Sequence, residues 1–393
     1  MNVFLRSALN IALLITVSAP LVHLLKVIHV SVDIGAYLFY IGFPLVVSLI
    51  CWGGVWKSSY KNTHANFFAF FMLMLLSTAS AMTIYYEGDF TDIAGNALRV
   101  IFVMMCVLFY SNAKRKFPDY IEKILPRLSI AALFTTSLAT VLMHIAGLDG
   151  LSVYFGLQVT AALISFAYGL VYRKPFFILF SLFAIIGSGK RGVMLACVAI
   201  FLVHGSILLR RGKFSRSFFM AGLVLLLIVC AYIFDLVPEQ ILSRVDFLVS
   251  DDVDVNRASA GRYEELEAAL YALQEEPIAW VTGFGLGSTI VIDGVADSTV
   301  HFSPMAMLMI FGAPAVVLFY VILIFYSIVF FRKAVKGRLG DAYFIMVLVF
   351  VGEMFFSLTA FTLLQSYTMW ITFAYLLAKT YASENVIENS VAE

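Results

Sequence analysis

Long apolar runs broken by short polar stretches set the pattern of this chain. A helix crossing a hydrocarbon core takes about 20 apolar residues, and by that measure about twelve runs qualify. They start near residues 7, 34, 65, 97, 128, 153, 175, 192, 217, 302, 341 and 364, the seventh being short. One stretch departs from the rhythm: residues 237–300 form the only long hydrophilic segment, rich in Asp and Glu, with Arg244, Arg257 and Arg262 as its cations. Loops longer than about 15 residues are usually functional or disordered, yet part of this one reads as a helix. In SAGRYEELEAALYALQEE, Ser259 can serve as N-cap and Glu264, Glu265 and Glu267 follow in the early turns. Tyr263, Leu266, Leu270 and Leu273 recur as an apolar stripe that can rest on the membrane surface or on the helix bundle. The expected divisions are residues 1–236 with nine spans, the loop 237–300, residues 301–382 with three spans, and a tail 383–393. No internal repeat and no separate soluble domain is legible.

Composition agrees. The chain is 62% hydrophobic and 13% charged, with mean hydropathy +0.95, whereas soluble domains carry about 25% charged residues. A soluble chain of 393 residues could not hide that much apolar surface. The fold class expected is therefore an all-α polytopic membrane protein with one large outer loop holding a short amphipathic helix. Cys51, Cys106, Cys197 and Cys230 fall inside apolar runs without metal-type spacing, and read as small buried hydrophobes. The first run, Ser7 to Val27, outlasts a signal-peptide core and no A-x-A site follows it, so it reads as a retained span.

The placement of Lys and Arg gives the orientation. With a cytoplasmic N-terminus, the inner loops collect most of the cations, including the clusters Lys114–Lys116, Arg210–Arg216 and Arg332–Arg338. The outer loops hold only Lys190, Arg191, Arg244, Arg257 and Arg262, with Lys26 and Arg99 read as sitting at outer helix ends. That asymmetry obeys the positive-inside rule, with both termini cytoplasmic.

Candidate chemistry then falls on the outer face. GSGKRG, residues 187–192, resembles a phosphate loop but fails it: Ala184 stands where the first glycine belongs and Arg191 replaces the Ser/Thr that holds magnesium. What remains is Lys190 and Arg191 at the tip of a tight outer hairpin, where ATP is not available. Arg262 opens the loop helix, where a cation opposes the macrodipole. An anion held between the arginine and the free backbone N–H groups removes the conflict; the other reading is an arginine paired with Glu265 or a neighbouring carboxylate. GFGLGS, residues 283–288, fails as a dinucleotide fingerprint for lack of a preceding strand. Gly283, Gly285 and Gly287 read either as a flexible turn or as a backbone surface that a bulky glycan approaches closely.

His301 stands where the loop returns to the membrane, and an imidazole there can act as a general base. Asp297 could orient it if the helix starts that early; the alternative is a hydrogen-bonded boundary residue. His23 and His29 flank the outer end of the first span, and His144 and His204 read as structural. DDVDVN, residues 251–256, opens like a calcium loop but has Arg257 where Gly is needed and Tyr263 where the bidentate Glu belongs, so no metal is expected. Glu353 is the clearest acid inside a span and thus a functional candidate by default.

Three pieces in this order resemble the bacterial O-antigen polymerase and ligase family of inner-membrane glycosyltransferases: the GSGKRG hairpin, SAGRYEE leading to GFGLG, and a histidine followed by a glycine with ten residues between, His301 to Gly312. The resemblance covers roughly residues 185–315. It implies a GT-C-like glycosyltransferase with about a dozen spans and one large periplasmic loop. Arg191 matches the hairpin arginine, Arg262 the loop-helix arginine and His301 the histidine at the membrane return. Two positions depart from the pattern: Lys190 stands where a small or polar residue is common, and Phe302 replaces an asparagine often found after the histidine. The resemblance implies an undecaprenyl-pyrophosphate oligosaccharide as donor, gripped by Arg191 and Arg262 with Lys190. His301 is the implied base, and Tyr263, Gly283, Gly285 and Gly287 line the substrate. It implies no metal, cofactor or nucleic acid. Partners named by it are the lipid-linked repeat, membrane lipids, a lipid A core if the protein is a ligase, and a chain-length regulator and flippase. Polymerase is preferred, ligase is the runner-up, and a glycolipid flippase or other transporter is the reading from another class.

Overall fold

The computed structural model describes residues 62–86, 90–112, 116–145, 156–187, 191–212, 262–292, 295–297, 300–358 and 363–382. The runs expected from residues 7, 34 and 217, the tail 383–393, Ser259, Lys190, His23, His29, the 251–256 stretch, Cys51 and Cys230 lie outside them. Helices make up nearly all of the described chain. They are α1 Thr63–Tyr86, α2 Phe90–Asn112, α3 Lys116–Ile145, α4 Gly156–Tyr172, α5 Pro175–Gly187, α6 Arg191–Arg210, α7 Arg262–Glu275 and α8 Ala279–Thr282. The hairpin β1 Ile290–Ile292 and β2 Val295–Asp297 comes next, followed by α9 Ser303–Phe311, α10 Ala313–Lys336 and α11 Gly340–Leu358. A 3-10 turn Leu363–Gln365 and α12 Tyr367–Ala382 close the described chain.

Among the described residues, 5 helices are long and apolar enough to cross a membrane: α1, α6, α10, α11 and the Phe117–Leu142 part of α3. Helices α4 and α5 are shorter and apolar, α5 being the short run read from the sequence. The chain is thus an α-helical, membrane-embedded protein. α10 shows how the sequence sorts its faces. Val317, Leu318, Val321, Ile324, Phe325 and Ile328 form an exposed apolar stripe, while Phe319, Ile322, Leu323, Tyr326 and Phe330 on the other side are buried. Such a stripe suits lipid. Association in lipid rests on close packing rather than on the hydrophobic effect, and Gly352 of α11 illustrates this. A Cβ there would come within 2.6 Å of the Ile200 side chain on α6. Phe68, Phe319, Phe330, Phe350, Trp370 and Phe373 fill the centre as an aromatic cluster. His204 stacks on Phe344 in this interior, a structural role as expected, and Cys106 and Cys197 are buried there as thiols outside any disulfide.

The two ends of the bundle differ. At one, Lys379 bonds Glu122 at 2.7 Å, Arg211 donates to the Ala334 carbonyl at 3.1 Å through Nε, and His64 stacks on Tyr381. This end collects the starts of α1 and α3 and the ends of α6, α10 and α12, where the basic clusters lie. At the other sit α7, α8 and the hairpin. Three boundaries differ from the sequence reading. The run expected from about 128 begins at Lys116, so Lys123 and Arg127 lie within α3 rather than in a loop. The run from about 302 is two helices, α9 and α10, split at Gly312 with φ 78°. And α2 begins at Phe90, so Arg99 lies within the helix rather than at its end.

Candidate functional site

The site is built where α7 meets the chain returning to the bundle. RYEELEAALYALQE is composed of strong helix formers, with Glu264 and Glu265 in the first turn favouring the helix dipole. Pro277 follows the end of the helix, as a residue unable to continue it. The buried face of α7, Ala269 and Leu273, packs with Ile290 of β1, Val300, and Met305, Ala306 and Met309 of α9. The apolar stripe therefore rests on the hairpin and the return helix. Leu266 and Leu270 are partly buried there, while Tyr263 stays 49% exposed.

That packing brings together groups 36 residues apart. The His301 backbone N–H donates to Glu265 Oε2 at 2.7 Å, and His301 Nδ1 lies 2.8 Å from Glu265 Oε1. A carboxylate only accepts, so Nδ1 must carry the proton in this pair, and the lone pair of the neutral ring is left on Nε2. Such a pairing fixes tautomer and ring orientation in a general base. Glu265 is nearly buried at 12% exposure, whereas His301 keeps 33%, enough to meet a ligand.

Arg262 is the first residue of α7, three before Glu265, a spacing that puts both on one helix face. Burial pulls its pKa below the usual arginine value, and the Glu265 carboxylate opposes that shift. The guanidinium stays charged regardless. Both oxygens of Glu265 are occupied by His301, so this carboxylate does not belong to Arg262 alone. The sequence offers Glu265 as a partner for the arginine; in the structure both of its oxygens also meet the histidine. Asp297 was expected to orient His301 from within the same helix. It lies in β2, paired in register with Ile290, and α9 begins only at Ser303, so the helical condition is not met.

The glycine cluster has a mechanical job. Gly283 has φ 70° and Gly285 φ 88°, conformations that an L side chain rarely adopts. A Cβ on Gly283 would strike the Ile310 carbonyl, and one on Gly312 would strike the Val281 carbonyl, so the two backbones cross at paired glycines. Phe284 N–H donates to Met309 O at 2.7 Å and Gly285 N–H to Ile310 O at 3.2 Å, satisfying carbonyls at the open end of α9. A Cβ on Gly285 would lie 2.5 Å from Thr83 of α1. At Gly283 and Gly285 the space is thus taken by protein backbone, and Gly287 is buried. Replacing Gly283 or Gly312 with alanine is expected to destabilise the protein by roughly 1–3 kcal/mol for the strained φ alone, before the clash is counted. A thermal melt of the purified protein in detergent checks this; a double alanine variant that melts like the wild type contradicts the crossing.

Arg191 starts α6, and its backbone is described. Gly187, ending α5, abuts Thr140 in the last third of α3, which places the α5–α6 junction at the same end of the bundle as α7. Glu353 lies elsewhere, wholly buried in α11. Ser366 Oγ donates to Glu353 Oε2 at 2.7 Å and itself accepts the Met369 N–H at 3.2 Å, capping α12.

Comparison of the chain with protein-family models, with curated proteins and with solved structures gives no match.

Proposed function

We propose that the protein is an inner-membrane glycosyltransferase that joins undecaprenyl-pyrophosphate-linked oligosaccharide repeats at the periplasmic face, a polysaccharide polymerase of the O-antigen, capsule or exopolysaccharide type. The observation that carries the reading is the Arg262–Glu265–His301 group: an oriented imidazole and a partly buried cation on one small platform at the membrane boundary. The excess of Lys and Arg at the opposite end supports cytoplasmic termini and a periplasmic site.

In this reading a sugar hydroxyl attacks the anomeric carbon of the donor while the bond from that carbon to the pyrophosphate oxygen breaks. The electron pair of the broken bond leaves with the pyrophosphate. His301 takes the hydroxyl proton on Nε2, held in place through Nδ1 by Glu265. Arg262, with Arg191 and Lys190 of the hairpin, meets the charge that grows on the leaving group, where preorganised cations contribute most. Attack opposite the leaving group inverts the anomeric centre, and no metal enters the step.

The test supplies purified protein with undecaprenyl-pyrophosphate repeat units alone, then with lipid A core. A product ladder without core is the expected result. Product only with core assigns a ligase. No product in either tube, beside a reactive control enzyme, removes the glycosyltransferase reading. Measured transport that needs Glu353 and tolerates Arg262→Ala would instead mark a glycolipid flippase or transporter.

A further inference from the structure

Arg99 is a cation inside α2, a helix of 23 residues. It is the tenth residue of α2, about 14 Å from the helix start at 1.5 Å per residue, and the positions below it, VIFVMMCVLFY, are apolar or aromatic. The polar opening FTDIAGN gives way to this apolar run close to Arg99, a boundary at which an arginine keeps its stem among apolar groups and its head near water or a lipid headgroup. Its surroundings are built. Arg99 Nη1 donates to Asn96 Oδ1 at 2.8 Å, and the buried Asn96 donates through Nδ2 to Leu286 O at 2.6 Å. The same Leu286 gives its N–H to Thr83 Oγ1 at 2.7 Å. The guanidinium is therefore tied, through one amide, to the glycine loop that follows α7.

The next turn of α2 reaches the other part of the site. Phe102 packs on Tyr367, the first residue of α12, with ring centroids 4.8 Å apart. Just before it in the chain, Leu363 N–H donates to Ser303 Oγ at 2.9 Å, and Ser303 stands two residues after His301. Arg99 thus lies on the stretch of α2 between Asn96, which holds the glycine loop, and Phe102, which packs on the start of α12, and it remains only partly buried. A guanidinium offers a planar fork of donors suited to phosphate oxygens.

We propose that Arg99 is an anion-holding side chain of the candidate site, taking the phosphate end of a lipid where α2 turns from polar to apolar, while Arg262 stands at the start of the loop helix. The inference rests on the glycosyltransferase reading for its ligand, a lipid-linked diphosphate. An anionic phospholipid headgroup presents the same chemistry, and the experiment separates the two.

Native mass spectrometry of the full-length protein, titrated with undecaprenyl pyrophosphate, undecaprenol or phosphatidylglycerol, measures binding without turnover. Arg99→Gln is expected to weaken undecaprenyl pyrophosphate binding about tenfold or more, with undecaprenol and phosphatidylglycerol unchanged. Arg99→Lys, which keeps the charge but loses the fork, should recover part of it. Equal losses for undecaprenyl pyrophosphate and phosphatidylglycerol keep the anion site but overturn its assignment to substrate. Unchanged binding in Arg99→Gln, with a lowered melting temperature shared by Asn96→Ala, overturns the proposal and leaves Arg99 as a pin for the Leu286 loop. Wild-type protein that binds the diphosphate lipid yet forms no glycan product sinks the glycosyltransferase reading while the Arg99 site stands.

Discussion

Arg262→Ala is expected to lower kcat/KM for glycosyl transfer by roughly 10²–10³-fold, the effect of removing one preorganised charge-stabilising group. Most of the loss should fall on kcat, because the negative charge on the leaving pyrophosphate grows as the bond to the sugar breaks. A rise in KM accompanies it, since the diphosphate is already anionic when bound. The size of the effect follows from the setting. Arg262 opens α7, where backbone N–H groups and the guanidinium add positive potential. Its nearest helical carboxylate, Glu265, already holds two N–H groups of His301. An arriving anion adds acceptors that Glu265, bonded through both oxygens to His301, does not supply alone, and the partial burial of the guanidinium strengthens the attraction. Arg262→Lys should recover part of the rate, keeping a charge without the planar fork. Steady-state kinetics with purified lipid-linked repeats decide it. Full activity in Arg262→Ala would remove the arginine from the mechanism.

The sequence was informative where the physics is local. The period of 3.6 in YEELEAALYAL located α7, and runs of apolar residues located α1, α6 and α11 near their observed starts. It was least informative where one signal masked another. SPMAMLMIFGAPAVVLFY reads as a single apolar run, and only Gly312 and Pro314 hint at the break between α9 and α10. The polar opening of α2, FTDIAGNALR, hid the first turns of a helix that an apolar ruler starts near residue 97, so Arg99 was read as terminal. Non-local contacts were the least legible. His301 could be chosen from chemistry and Glu265 from its place in α7, but their pairing depends on Ala269, Leu273 and Met305 packing together in three dimensions. The glycines of GFGLG were visible as unusual, yet only the opposing carbonyls of Ile310 and Val281 explain why two of the positions involved must be glycine.

Glu265 also supplies the sharper test of the base. His301→Ala should cost roughly 10²–10⁴-fold in kcat, the usual contribution of a positioned general base. Glu265→Gln should cost less, yet more than an isosteric change suggests. The carboxylate uses Oε1 for the ring Nδ1 and Oε2 for the backbone N–H of His301. An amide replaces one of those acceptors with an NH₂, so one N–H must face another donor. Either the ring loses its orientation or the chain loses its anchor, and the negative charge that stabilises a protonated imidazole is gone in both cases. Because Glu265 acts through His301, the double variant should be no slower than His301→Ala alone, a coupling that a double-mutant cycle in kcat reads directly. Thermal melts of the same four proteins separate a misplaced base from an unfolded platform. If the two losses multiply in properly folded protein, Glu265 acts on the substrate or the fold independently of the histidine, and the oriented-base mechanism fails.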